Sequence, residues 1–222
     1  MEEHLLTLIN RDWTSPVLDG FMAAMSSLNF WALPILVTVL AVAFYGRFRG
    51  RAMLVVLVLT IIISDSIVGD SLKHLIKRPR PNEVVGGVRI VALNLHHPIQ
   101  RLPSLFGGPE GRETWVVIKP SRPDPDNARG RSFPSDHTLN NVCAAMVLTY
   151  FYRRFGWLFF FPAAVVGYSR IYVGSHWPSD VAISFIMGIG MSLLLLAGYE
   201  ALWQKIGPRW MPRLYQGHPS LA

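Results

Sequence analysis

Three short clusters hold the residues best equipped for chemistry. They are Lys73-HLIKRP-Arg80-Pro81, Phe133-Pro134-Ser135-Asp136-His137 and Ser169-Arg170-IYVGS-His176-WPS-Asp180. Together they suit phosphoryl transfer. Lys73, Arg80 and Arg170 are three cations for the oxygens of a phosphate, arginine with bidentate geometry and lysine as a point charge. Pro134 to His137 precede a predicted helix, whose first N–H groups and dipole favour an anion. His176 and Asp180 are four residues apart with Pro178 between them, apt for the first turn of a helix. Asp180 is expected to accept a bond from one ring nitrogen of His176, leaving the other to attack phosphorus. His137 is then the general acid on the leaving oxygen and later the base for water.

Elements long enough to position these clusters are apolar. Residues 28–45 carry no charge over 18 residues, and 181–199 carry none over 19. Residues 52–72 are apolar but for Asp65 and Asp70, while 138–152 and 157–168 are shorter apolar runs. A membrane-crossing helix needs about 17–25 mainly apolar residues. The expected fold is all-α: a polytopic membrane helical bundle of about five spans. Residues 1–27 read as amphipathic helices on the membrane surface, because Arg11, Asp12, Asp19 and Pro16 interrupt their apolar runs. Glu2 and Glu3 stand where a signal peptide would be positive. Residues 28–204 form the membrane domain and 205–222 a cytoplasmic tail. An extracytoplasmic insert, 82–131, is rich in Pro, Gly and Arg and reads as an irregular cap; 90–95 and 114–119 are its candidate strands.

Composition agrees. Apolar residues make up 51% of the 222 and charged residues 16%, which excludes a disordered chain or a coiled coil. Cys143 is the sole cysteine, so an intramolecular disulfide or a multi-cysteine metal site is excluded. The net charge of +7 suits nucleic acid, an anionic membrane or a phosphorylated substrate. Because the basic residues lie in loops between spans, nucleic acid is excluded as a partner. Arg47, Arg49, Arg51, Arg153, Arg154, Lys205, Arg209 and Arg213 fall on one face of a five-span chain, which the short loops mark as cytoplasmic. All three clusters then fall on the opposite face, although that face carries eleven Lys and Arg between Lys73 and Arg131. Polar residues gathered at one membrane end are costly without a function.

The clusters resemble the motifs of the type 2 phosphatidic acid phosphatase superfamily, which includes lipid phosphatases and vanadium haloperoxidases. The family pattern is Lys-x6-Arg-Pro, then Pro-Ser-Gly-His, then Ser-Arg-x5-His-x3-Asp. Lys73-x6-Arg80-Pro81, Pro134-Ser135-Asp136-His137 and Ser169-Arg170-x5-His176-x3-Asp180 keep every spacing, over about residues 53–195 with the insert outside. The resemblance implies that His176 becomes phosphorylated, Asp180 orients it and His137 is the acid/base. It implies phosphate binding by Lys73, Arg80, Ser135 and Arg170, and no metal or other cofactor. Asp136 belongs to the same expected anion site but departs from the usual Gly. A carboxylate repels phosphate unless it turns away, and it is well placed as a helix cap. This Asp variant resembles that of bacitracin-resistance-type undecaprenyl pyrophosphate phosphatases. The implied activity is metal-independent hydrolysis of a membrane lipid (pyro)phosphate, best undecaprenyl pyrophosphate. Phosphatidylglycerol phosphate, phosphatidic acid and lipid A are the other candidate substrates. The resemblance also implies a site facing the periplasm or exterior of a bacterial inner membrane. A lipid phosphotransferase, a vanadate-dependent haloperoxidase and a non-enzymatic transporter remain as alternatives.

Other polar residues read as structural. Lys77 and Arg78 suit snorkelling anchors. His74 is expected beside Asp70 at i+4. Asp65 and Asp70 should face protein or water. His96-His97 are too close together for a chelate, and Arg112, Trp115 and Arg122 are candidates for a headgroup contact.

Overall fold

The computed structural model describes residues 1–93 and 116–222. The readings on His96, His97, Arg112 and Trp115 therefore lie outside the described residues. The chain opens with α1 (Glu2–Thr7), a π-helical turn and α2 (Pro16–Ser26). Ser15 caps α2 by accepting the N–H of Leu18 at 3.2 Å, with Pro16 at the first helical position. Next come α3 (Leu28–Tyr45) and α4 (Phe48–Ile62), the latter running through a π-helical stretch, Ile63–Gly69, into α5 (Asp70–Ile76). A short α6 (Pro81–Val84) leads to β1 (Arg89–Leu93) and β2 (Val116–Pro120). Then follow α7 (Asp136–Phe151), α8 (Phe160–Tyr172), the 33-residue α9 (Pro178–Trp210) and α10 (Pro212–Gly217).

Among the described residues three helical stretches are long and apolar enough to cross a membrane: Leu28–Tyr45, Phe48–Val84 and Pro178–Trp210. With 16 and 13 residues, α7 and α8 are shorter. Their role is central. α7 packs against α4, α8 and α9, and buries Leu139, Val142, Cys143, Val147 and Phe151. Gly188 lets α9 approach it, since a Cβ there would lie 2.8 Å from a Val142 methyl. By contrast α3 has no buried residue, the pattern of a helix whose apolar surround is lipid.

Two expectations are refined. The insert is not wholly irregular: β1 and β2 pair antiparallel, Arg89 opposite Pro120 and Leu93 opposite Val116. The N-terminal segment is built into the protein. Asn10 is buried, donating to the carbonyls of Arg89 (2.9 Å) and Tyr172 (2.6 Å) and accepting the N–H of Arg89 at 2.7 Å. Asp19 is also buried, holding Arg89 at 2.8 Å and the Tyr172 hydroxyl at 2.7 Å. Those polar residues interrupt the apolar pattern because they brace α2, β1 and the end of α8 together.

The short basic segments do share one end. The Arg49 guanidinium lies 5.3 Å over the Tyr152 ring, Phe48 stacks on His218 at 4.1 Å, and Trp203 Nε1 donates to the His218 carbonyl at 2.9 Å.

Candidate active site

At the opposite end, the loop between α8 and α9 places His176. Gly174 turns it with φ +74°, and an added Cβ there would lie 2.8 Å from the Arg89 carbonyl. The turn lets the N–H groups of Ser175 and His176 both bond the Arg170 carbonyl, at 3.0 and 3.2 Å. His176 is 3% exposed. Its Nδ1 lies 2.6 Å from the backbone carbonyl of Ser132. A carbonyl can only accept, so Nδ1 carries the proton and Nε2 keeps its lone pair. Burial, and then the charges of Arg170 and Arg80, hold the ring's pKa well below 6.5. His176 is thus a neutral imidazole with one nucleophilic nitrogen.

Asp180 is not the direct partner of His176. Among the described residues no hydrogen bond or ion pair joins them. The fully buried Asp180 carboxylate instead accepts the Ser132 hydroxyl at 2.5 Å, the Trp177 N–H at 3.1 Å and Arg78 Nη1 at 2.6 Å. At the third position of α9, its carboxylate bends back to cap the helix, which turns it from the imidazole.

Arg78 is likewise not a lipid anchor. Besides Asp180 it reaches Ser179 Oγ and Glu2 Oε2, both at 2.7 Å, and lies over the Trp177 ring at 5.5 Å. Arg78, Ser132 and Glu2 are the site-end residues that sequence reasoning missed. A cation two residues before Arg80 and a serine just ahead of Phe133-Pro134 were the available signals.

The cations divide into two kinds. Lys73 is paired with Asp136, and Asp70 lies 3.9 Å away; Asp70 is on Lys73 rather than on His74. Asp136 therefore turns onto a lysine and makes no cap, the end of α7 being without a side-chain cap bond. Arg80 and Arg170 differ: among the described residues each has a buried Nε with no partner. Arg170 also donates to Ser26, at the end of α2. The charges of Arg170, Arg80 and Lys73 all act on His137, so the two histidines and these cations share one locale. Ser135 is tied into the helix interface. Its N–H goes to Ser184 Oγ at 2.8 Å and its hydroxyl accepts from Thr138 at 3.0 Å. Among the described residues no group of three or more His, Cys, Asp or Glu converges as a metal site.

An apolar helical bundle thus gathers two histidines and, among the described residues, two arginines with unpartnered Nε atoms at one end. Comparison with known proteins gives the family. The chain belongs to the PAP2 superfamily, whose family model matches residues 53–204. It is 34% identical over 90 residues to the bacitracin transport permease protein BcrC of Bacillus licheniformis, covering 35% of this chain and 44% of that one. It is 25% identical over 211 residues to a lipid A 4'-phosphatase of Porphyromonas gingivalis, covering 92% and 74%. The undecaprenyl-diphosphatase BcrC of Bacillus subtilis is 35% identical over 68 residues, 31% of this chain and 35% of that one. The chain thus spans less than half the length of the two BcrC relatives. Among solved structures, Aquifex aeolicus LpxE aligns with a TM-score of 0.57 at 23% identity, covering 88% of this chain and 94% of that one. A transmembrane PAP2 type phosphatidylglycerolphosphate phosphatase from Bacillus subtilis gives 0.51 at 19%, covering 90% and 86%. These two likenesses establish the fold. With three long apolar helices among its described residues, the chain is an integral membrane protein of this family.

Proposed function

We propose that the protein is a metal-independent membrane lipid phosphatase working through a phosphohistidine on His176. The observation that carries this is the Nδ1 contact of His176 with the Ser132 carbonyl, which commits Nε2 to attack. Nε2 forms a bond to phosphorus as the bond from phosphorus to the leaving oxygen breaks, and His137 gives that oxygen a proton. Water then attacks the phosphohistidine and gives its proton to His137, and phosphate leaves with Nε2 regenerated. Arg80 and Arg170 stabilise the phosphoryl oxygens, their Nε groups, unpartnered among the described residues, supplying donors. Lys73 is partly neutralised by Asp136 and contributes after that pair rearranges. Ser135 sets the start of α7.

The best substrate is undecaprenyl pyrophosphate, cleaved to the monophosphate. Support comes from the named undecaprenyl-diphosphatases among the relatives and from Asp136, whose carboxylate is engaged by Lys73 instead of facing an anion alone. A second reading, a lipid A phosphatase, is favoured by the lipid A 4'-phosphatase match along nearly the whole chain. We further propose five crossings, with α7 and α8 completing the bundle. Residues 28–204 would be the catalytic unit, with 82–131 as a cap over it. The site would face the periplasm or exterior, and the basic end the cytoplasm.

The test is phosphate release by detergent-purified protein with chelator present. Undecaprenyl pyrophosphate, phosphatidylglycerol phosphate, phosphatidic acid and lipid A are offered in parallel, with His176→Ala as blank. Preferred turnover of undecaprenyl pyrophosphate is expected. Turnover of lipid A alone selects the second reading, and wild-type turnover in His176→Ala overturns the mechanism.

A further inference from the structure

Resting on the phosphohistidine reading, we infer that Asp180 acts on His176 only through Ser132, and that Arg78 completes this relay as a positioning residue. Every polar group of Ser132 is committed. Its N–H donates to the Arg78 carbonyl at 2.8 Å, its hydroxyl to Asp180 Oδ2 at 2.5 Å, and its carbonyl takes His176 Nδ1 at 2.6 Å. The ring of contacts closes through Arg78, whose Nη1 holds Asp180 Oδ1 at 2.6 Å. Arg78 thus grips Ser132 by its main chain and Asp180 by its side chain. Arg78 is itself pinned by Glu2 and Ser179. Ser132 and Asp180 are fully buried, so no water competes for these bonds.

The chemistry favours this arrangement. When Nε2 bonds to phosphorus with Nδ1 still protonated, the imidazole gains positive charge. The Ser132 carbonyl dipole meets that charge and stabilises it more than it stabilised the neutral ring. The carbonyl also fixes the tautomer by itself, because it has no proton to give. Asp180 and Arg78 contribute differently, by holding the serine so that its carbonyl stays aimed.

The relay and a direct Asp–His pair differ in what Asp180→Asn does. In a direct pair the amide selects the wrong tautomer, at a cost near 10⁴-fold in kcat. In the relay the carbonyl preserves the tautomer, and the loss is about tenfold to a hundredfold, the worth of a buried hydrogen bond. Ser132→Ala alone gives a loss of similar size. The double variant is no worse than the more severe single one, since both break one chain. Arg78→Gln also lowers kcat with KM nearly unchanged, and Arg78→Lys recovers part of the loss.

A second readout needs no turnover. In protein labelled with 15N-histidine, His176 is assigned by its disappearance in His176→Ala. Its Nδ1–H tautomer is expected in wild type and in Asp180→Asn alike, with the Nδ1 proton resonance shifted in Ser132→Ala and Asp180→Asn. A tautomer flip in Asp180→Asn overturns the relay, as do additive losses in the double variant. An inactive wild type with the expected tautomer and shifts would instead overturn the phosphatase reading and leave the relay standing.

Discussion

Arginines crowd both ends of this bundle, and they are used in opposite ways. At the basic end Arg49 and Arg154 lie over aromatic rings at 5.3 and 5.1 Å, and Arg51 bonds the last carbonyls of α3 at 3.1 and 3.2 Å. These contacts are exposed, and each adds little. At the site end Arg78 serves a fully buried carboxylate, and Arg80 and Arg170 bring buried donors, unpartnered among the described residues, near two histidines. Count and charge therefore do not mark function. Burial separates the two ends, because a buried charge or donor without its counterpart is expensive.

The comparison can be broken most sharply at His176, the proposed nucleophile. His176→Ala should reduce phosphate release to the blank while the fold persists, checked by turnover and size-exclusion elution in detergent. Arg170→Ala and Arg80→Ala come next. Each should lower kcat/KM by about a hundredfold or more, the usual cost of losing a donor to a developing phosphoryl charge.

Arg78→Gln against Arg49→Gln tests the two ends directly. The first leaves Asp180 without its cation and should destabilise by about 2 kcal/mol, less than a wholly buried pair because Arg78 is 28% exposed. The second should stay within about 0.5 kcal/mol. Thermal unfolding in detergent reads both, and equal shifts would erase the distinction.

Gly188→Val probes the bundle between the ends. Its side chain would collide with Val142 and cost about 1–3 kcal/mol by overpacking, again read by thermal unfolding.

The smallest effect concerns pH. His176 is depressed below 6.5, so it remains neutral where an ordinary histidine gains a proton. The unfolded chain takes up that proton first as pH falls. The stability associated with His176 is therefore present above pH 6.5 and is lost progressively below it. Correspondingly, the acid limb of kcat/KM attributable to His176 should lie below pH 6.5. An acid limb at 6.5 or above in wild type would show His176 to be as solvated as a surface residue.

The residue types and spacings of Lys73, Arg80, His137, Arg170, His176 and Asp180 were legible in the sequence, because covalent spacing on a helix or tight turn is local information. So were the apolar stretches of α3, α4 and α9, the sharing of one end by the short basic segments, and the candidate strands near β1 and β2. Which partner each polar group chooses was not legible. Spacing brings His176 and Asp180 within one helical turn, yet capping of α9 and the approach of Arg78 draw the carboxylate to Ser132. Likewise Asp136 could have capped α7 but pairs with Lys73, 63 residues away. The polar residues of 1–27 suggested a surface helix, but Asn10 and Asp19 are buried against β1 and α8. Hydrogen-bond partners are decided by which distant groups share a buried volume, and only the packed tertiary structure sets that competition.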